Sequence, residues 1–436
     1  MLDDSQQVDD RPSPIAARAA AFALAWLVAT GAAGCRRAVD TPAPTPSVGD
    51  AIPTWSRDVA PLLVRRCGGC HGDGVLPATA PPALGSYDEA RRAAAAALRA
   101  VRRRMMPPFG PDDTGLCGSW LDASWLTDAE IATFDAWVEH GTPRGDDARA
   151  PASPIASAPP SAPPLTLDPR VAFAPGVGGR AYRCFVVEGP RPSARFLTAV
   201  TVTAEPAAAV RQATLYALDG AGAVHRAHKL EAADAEPGWA CYGAPRIVGA
   251  RLVASWSRNT PGQPMPAGTG VPLDGVAAFV MQVRYDLIAS APGTPVSARF
   301  ALTTGETAQP ARLVPVRAAP FTLALGSAQA RVRVSWTSDR KTTLLGLVPR
   351  MHTLGRVLDL ARTRAGQQLQ CLAHFGHWDI YDQQLFRAVE PIALAPGDEL
   401  TLTCEFTTTS RAGDVKMGED PDDEQCLAHL YLVDPP

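Results

Sequence analysis

The pattern of apolar and polar positions changes period once along this chain, across the proline-rich stretch Ala150–Pro164. Before that stretch the period is helical. Tyr87–Arg104 is a run of Ala, Leu and Arg that nothing interrupts until Pro107-Pro108, so it predicts one long helix. Thr127 with Glu130 three positions on is a capping box, and Ile131, Phe134, Trp137 and Val138 then fall on one helical face, the pattern of a core-facing stripe. After the stretch the period is two. Arg331–Thr337 turns Val332, Val334 and Trp336 to one side, and Glu399–Phe406 does the same with Leu400, Leu402, Cys404 and Phe406. Short strands between Gly/Pro turns over the whole C-terminal body predict β-sandwich architecture, two sandwiches in series.

Punctuation divides the 436 residues further. Ala19–Ala33 is apolar and of signal-peptide length, and it runs into Ala32-Ala33-Gly34-Cys35, small residues directly before a cysteine as in a bacterial lipobox. The expectation is export, with lipid on Cys35; the alternative is a buried N-terminal helix with an incidental cysteine. Thr41–Ser47 and Ala150–Pro164 are Pro-rich and predict extended linkers. The expected domains are 1–35 signal peptide and lipobox, 36–49 linker, 50–149 a helical domain, 150–166 linker, and two β lobes at 167–310 and 311–436.

Composition narrows the function. With 46% hydrophobic and 19% charged residues the chain is globular, and a net charge of −3 with a pI near 6.3 gives no electrostatic case for nucleic acid. The nine cysteines, at 35, 67, 70, 117, 184, 241, 371, 404 and 426, fit an oxidising compartment.

Cys67-Gly-Gly-Cys70-His71 has the spacing of a c-type haem attachment site: two thiols placed to add to the haem vinyl groups, and an imidazole next in chain to ligate the iron. The rival reading, half of a zinc site, needs two further donors, and the segment offers only Cys117 and His140 at no zinc-motif spacing. Met106, directly before the proline pair, is the expected second axial ligand, with Met105 pointing to core. Residues 55–145, with WSRDVAPLL, CGGCH, RMMPPF and LTDAEIATFDAWVEHGTPRGD in order, resemble class I cytochrome c domains fused to larger periplasmic enzymes. That resemblance implies covalent haem c and an electron-transfer role with a periplasmic donor and acceptor.

The C-terminal body carries a second set of motifs: Tyr182-Arg-Cys184-Phe, Gly238-Trp-Ala-Cys241-Tyr-Gly, Pro266-Ala-Gly-Thr-Gly270, Gln282-Val-Arg-Tyr285, Met351-His-Thr-Leu-Gly-Arg356, Trp378-Asp379, Gln383-Gln384, Gly397-Asp398 and Asp423-Glu-Gln-Cys426. In that order they resemble the copper type II, ascorbate-dependent monooxygenases, the family of peptidylglycine α-hydroxylating monooxygenase and dopamine β-monooxygenase. The resemblance implies the disulfides Cys184–Cys241 and Cys404–Cys426, leaving Cys117 and Cys371 as free buried thiols. It also implies two copper ions, each on three side chains. Here the first-lobe ligand positions read Arg211-Gln212 and Arg284, and the second-lobe positions read Arg350, His352 and Gln425. A guanidinium cannot lose its proton to coordinate a metal, so of the six only His352 remains, and copper is not expected. His374, His377, His429 and Met417, and more remotely His225 and His228, are the nearby residues that could rebuild a site; each reads first as an ordinary surface or strand residue.

The expectation is therefore an all-α cytochrome c domain followed by two all-β, jelly-roll-like lobes. Functionally it is a membrane-anchored periplasmic electron-transfer protein whose C-terminal body is a degenerate binding or docking module for a small molecule or peptide. The alternatives are a working copper- and haem-dependent monooxygenase and a redox-sensing ligand-binding protein.

Overall fold

A computed structural model describes residues 52–435 apart from short internal stretches, of which 73–81, 147–163 and 286–292 are the longest. The expected signal peptide with Cys35, the first linker and most of the second lie outside the described residues.

Most of the regular backbone is β. A five-stranded sheet runs in the order Trp239–Ala240, Tyr182–Val187, Ala278–Tyr285, Val210–Leu218, Arg251–Ser257. A four-stranded sheet runs Ala330–Thr337, Glu399–Phe406, Gly355–Thr363, Gln370–Phe375. A nine-stranded sheet serves both lobes, with Leu165–Leu167, Ser297–Gly305 and Phe196–Glu205 at one end and Leu427–Val433, Thr342–Arg350 and Phe386–Leu394 at the other. Each smaller sheet shares a hydrophobic core with one part of it. Phe185, Val280, Met281, Leu197 and Phe300 fill the first core, and Leu402, Phe406, Leu360, Leu347 and Leu430 fill the second. The alternation in Glu399–Phe406 does what it predicts, with Leu400, Leu402, Cys404 and Phe406 fully buried. Val332, Val334 and Trp336 share a face but are only half-buried, because their strand is the outermost of its sheet.

The helices are short. Tyr87–Arg102 opens on a capping box at Ser86 and Glu89, and Asp128–Glu139 opens on the expected one, Thr127 with Glu130. They pack with a π-helical turn, Trp55–Val59, and with Ala60–Arg66 around Trp55, Leu62, Leu98, Phe134 and Trp137.

The expected all-α cytochrome c domain is corrected here. The chain from Ile52 onward clusters as one unit, mostly of sheet, and the stretch between the two longer helices is built into the C-terminal lobe. That lobe has an open side where Gln370–Phe375 ends one sheet and Phe386–Leu394 ends the other. Asp112 and residues 114–122 run along it as a strap. On one side Asp112 N–H donates to His374 O (2.7 Å) and Trp120 Nε1–H to Leu372 O (3.1 Å). On the other, Val389 N–H donates to Ser119 O (2.9 Å) and Leu121 N–H to Arg387 O (2.8 Å). The Trp120 ring is buried in the second core, and Asp122 takes a bidentate pair from Arg387 (2.6 and 2.8 Å). Gly118 is required where it stands. Its φ is +68°, and a Cβ there would sit 2.3 Å from Leu372 O. The strap also corrects the expectation for two cysteines: Cys117 and Cys371 are not free thiols but a disulfide closing 254 residues of chain. The physical reason for both corrections is the same: an exposed sheet edge carries unpaired backbone groups, and this segment satisfies them.

Candidate functional site at the junction of the two lobes

The five-stranded sheet turns a polar face toward the C-terminal lobe. Strand register sets Tyr182, Arg284, Gln212 and Ser257 side by side in one row, and Cys184, Gln282, Thr214 and Ser255 in the next. In a one-sided sheet these period-two positions would face water. Here Arg284, Gln212, Ser257, Gln282 and Ser255 are all buried. The cover is the loop before Phe386: Arg284 Nη1 donates to Ile380 O (3.0 Å), Ser257 Oγ to Asp382 Oδ1 (2.7 Å), and Ser255 Oγ to Gln383 O. Gln212 Nε2 also reaches Gln383 O at 3.4 Å.

The second lobe answers with its own buried guanidinium. Arg350 Nη1 donates to the Tyr216 hydroxyl (2.8 Å) and Nη2 to Gly243 O (3.1 Å), both in the first lobe. Beside it His352 is buried. Its backbone N–H donates to Glu424 Oε2 (2.9 Å), and its ring meets the edge of Tyr242 with centroids 4.7 Å apart. The Nδ1 atom lies 2.9 Å from Asp423 O, which can only accept, so Nδ1 carries the proton and Nε2 holds a lone pair. That Nε2 is buried without a hydrogen-bond partner. Burial, with the nearby Arg350, Arg284 and Arg317 charges, pulls the imidazole pKa down to about 4, against the raising effect of the Asp423 carbonyl. It is neutral at physiological pH. Burial pushes two carboxyls up to about 7: Asp382, against its Ser257 bond and aided by Asp379 and Asp122, and Glu424, against three backbone N–H donors.

Residues 331–434 match the C-terminal domain of the copper type II, ascorbate-dependent monooxygenases. The chain is also 22% identical over 194 residues to "MOXD1 homolog 1" of Drosophila melanogaster, a match spanning 41% of this chain and 28% of that protein. Among solved structures, PNGF-II is 8% identical with a TM-score of 0.27, covering 64% of this chain and 65% of its own. A secreted protein of Eubacterium rectale is 10% identical with a TM-score of 0.19, covering 58% and 69%. Similarity that low establishes no shared fold. The C-terminal lobe is thus monooxygenase-like, and three disulfides, Cys117–Cys371, Cys184–Cys241 and Cys404–Cys426, belong to an oxidising compartment.

The expected cofactor, haem c with copper set aside, is corrected by that match: the family is copper-dependent, and copper is the group it implies. No haem site is formed among the described residues. His71 ends a one-turn helix, Gly68–His71, with Nδ1 2.8 Å from Pro82 O. Met105 and Met106 follow the Tyr87–Arg102 helix, and both are exposed. Cys67 is half-buried, and the Cys70 side chain lies outside the described residues.

The donor chemistry at the junction decides how well copper fits. Of the six ligand positions, His352 offers one imidazole lone pair. Arg284 and Arg350 place buried guanidinium groups there, engaged with carbonyls and a phenol, and Gln425 donates its amide to Gly418 O (3.1 Å). Arg211 is half-buried at the end of its strand. The described residues hold no cluster of three or more His, Cys, Asp or Glu arranged for a metal ion. These side chains do not make the family's three-donor sets. The other candidates are not brought to the junction as a set. His374 pairs with Asp359 (2.6 Å), His377 is exposed, and Met417 is bridged through its backbone to Glu424. His429 is half-buried on Leu427–Val433, while His225 is exposed and His228 pairs with Glu188, both on the helix Ala221–Ala232. Sequence reasoning missed Tyr216, Ser255, Ser257 and Asp382, whose only signal is polar character within strands or loops, and it quoted Glu424 in the Asp423–Cys426 motif without giving it a role.

Proposed function

We propose that the body from Leu165 onward is a binding module on a monooxygenase-like scaffold. In it arginine bridges between the lobes replace metal-bound imidazoles, and the whole chain is exported and held at a membrane by lipid on Cys35. The observation that carries the first part is Arg350, a buried cation from one lobe bonded to Tyr216 and Gly243 of the other. A guanidinium keeps its proton at any pH the protein meets, so this bridge is permanent, and it lies where the resemblance would have a ligand. The module takes a small molecule or peptide. A second reading, a working oxygenase, is favoured by the neutral His352 ring with its unpartnered Nε2 lone pair.

Calorimetric titration of the full chain with a glycine-extended peptide and with dopamine, alongside oxygen uptake in the presence of copper and ascorbate, separates the two. The expected result is heat of binding without ascorbate-dependent oxygen uptake. Uptake coupled to hydroxylation establishes the second reading, and no heat from either ligand retires the binding module. For the anchor, Cys35→Ala moves the protein from the membrane fraction to the soluble one; a wild-type protein already soluble and without lipid refutes it.

A further inference from the structure

We infer that Cys117–Cys371 is a thiol–disulfide exchange site, open to a dithiol reductant, whose reduction releases the strap from the edge of the C-terminal lobe. The first observation is a contrast among the three disulfides. Cys184, Cys241, Cys404 and Cys426 are each 0% exposed, inside the two sandwich cores. Cys117 and Cys371 are only half-buried. Exchange proceeds by a thiolate reaching a disulfide sulfur, so access separates the labile pair from the inert ones.

The second observation is the space beside it. Cys371 lines an open groove of about 950 Å³, whose walls include Leu116 and Gly118 of the strap and Ile392 of the facing strand. Arg362 also lines this groove, and its guanidinium bonds go to neutral acceptors, Ala393 O and the Gln370 amide oxygen. Glu390 lines the same groove with the opposite charge, so access to the sulfur and not net charge sets this disulfide apart. In the first step a reductant thiolate bonds to Cys371 Sγ, the Cys117–Cys371 bond breaks, and the electron pair leaves on Cys117 Sγ, which takes a proton. The reductant's second thiol then displaces Cys371, so the dithiol leaves as its disulfide and both cysteines as thiols.

The third observation is what the bond fastens. Among the described residues the strap's other attachments are five hydrogen bonds to two sheet edges, the Trp120 ring and the Asp122–Arg387 ion pair. The disulfide is its one covalent fastening in the described residues, and it closes 254 residues of chain. Opening it restores a large loop entropy to the detached state and leaves the Gln370–Phe375 and Phe386–Leu394 edges for another strand to occupy.

The test uses the oxidised full chain, treated with graded dithiothreitol, quenched by alkylation and read by mass spectrometry, with hydrogen exchange followed in parallel. Cys117 and Cys371 should be alkylated at reductant concentrations at least tenfold below those needed for the other two pairs. Exchange should then rise in 112–122, 370–375 and 386–390, while 400–406 and 427–433 stay protected. Cys117→Ser should show the same fast exchange with no reductant added. Simultaneous or later reduction of this pair overturns the exchange site. Slow exchange in the strap of Cys117→Ser overturns its role as the fastening.

Discussion

Asp382 makes the stability of the lobe junction depend on pH in the direction opposite to most carboxylates. It is buried, accepts a hydrogen bond from Ser257 (2.7 Å), and its pKa is pushed from 3.8 up to about 7 by burial first. A carboxyl whose folded pKa lies above its unfolded value binds its proton more tightly in the native state. Its contribution is therefore complete below pH 3.8 and is lost as pH rises through about 7. Each unit of pH across that window costs about 1.4 kcal/mol per group. Asp382→Asn keeps an acceptor for Ser257 and removes the ionisation. Between pH 5 and pH 8 the variant should gain on the wild type by about 2–3 kcal/mol, since about two units of the window lie above pH 5. Any constant effect of the amide cancels in that comparison. Glu424 titrates in the same direction and is present in both proteins, so it cancels as well. Urea denaturation of the full chain followed by tryptophan fluorescence at the two pH values measures the difference. A gap between the two proteins that stays the same from pH 5 to pH 8 refutes the assignment of a buried, protonated Asp382.

Two further outcomes follow from the same contacts. Arg350→Met leaves the Tyr216 hydroxyl and Gly243 carbonyl without the donor they have, and should cost about 2–4 kcal/mol; a calorimetric loss below about 0.5 kcal/mol would mean the bridge between the lobes contributes nothing. Trp120→Ala empties a ring from the second core and frees Leu372 O, so a loss of about 3–5 kcal/mol in chemical denaturation is expected, and a near-neutral result would show that the strap is not part of that core.

Local pattern was enough for the elements whose partners are close in chain or repeat with a fixed period. The capping box at Thr127 and Glu130, the buried Phe134 and Trp137, and the alternation through Leu400, Leu402, Cys404 and Phe406 follow from helical and strand geometry alone. The chemistry at Arg284, Arg350 and Gln425 was legible too, because a guanidinium or an amide keeps its donor character wherever the fold puts it. What no local pattern carries is which surface covers which. Gln212, Ser255, Ser257 and Arg284 sit at positions that alternation assigns to one face, and only the Ile380–Gln383 loop makes that face a buried one. The stretch 50–149, set apart in sequence by its Pro-rich flanks, read as all-α because periodicity reports each helix by itself and says nothing of the chain between them. Between those helices, Cys117, Trp120 and Asp122 find partners at Cys371, Leu372 and Arg387. Contacts over such separations form because two sheet edges need hydrogen-bond partners and a ring needs a dry cavity, and both needs exist only once the sandwich is assembled.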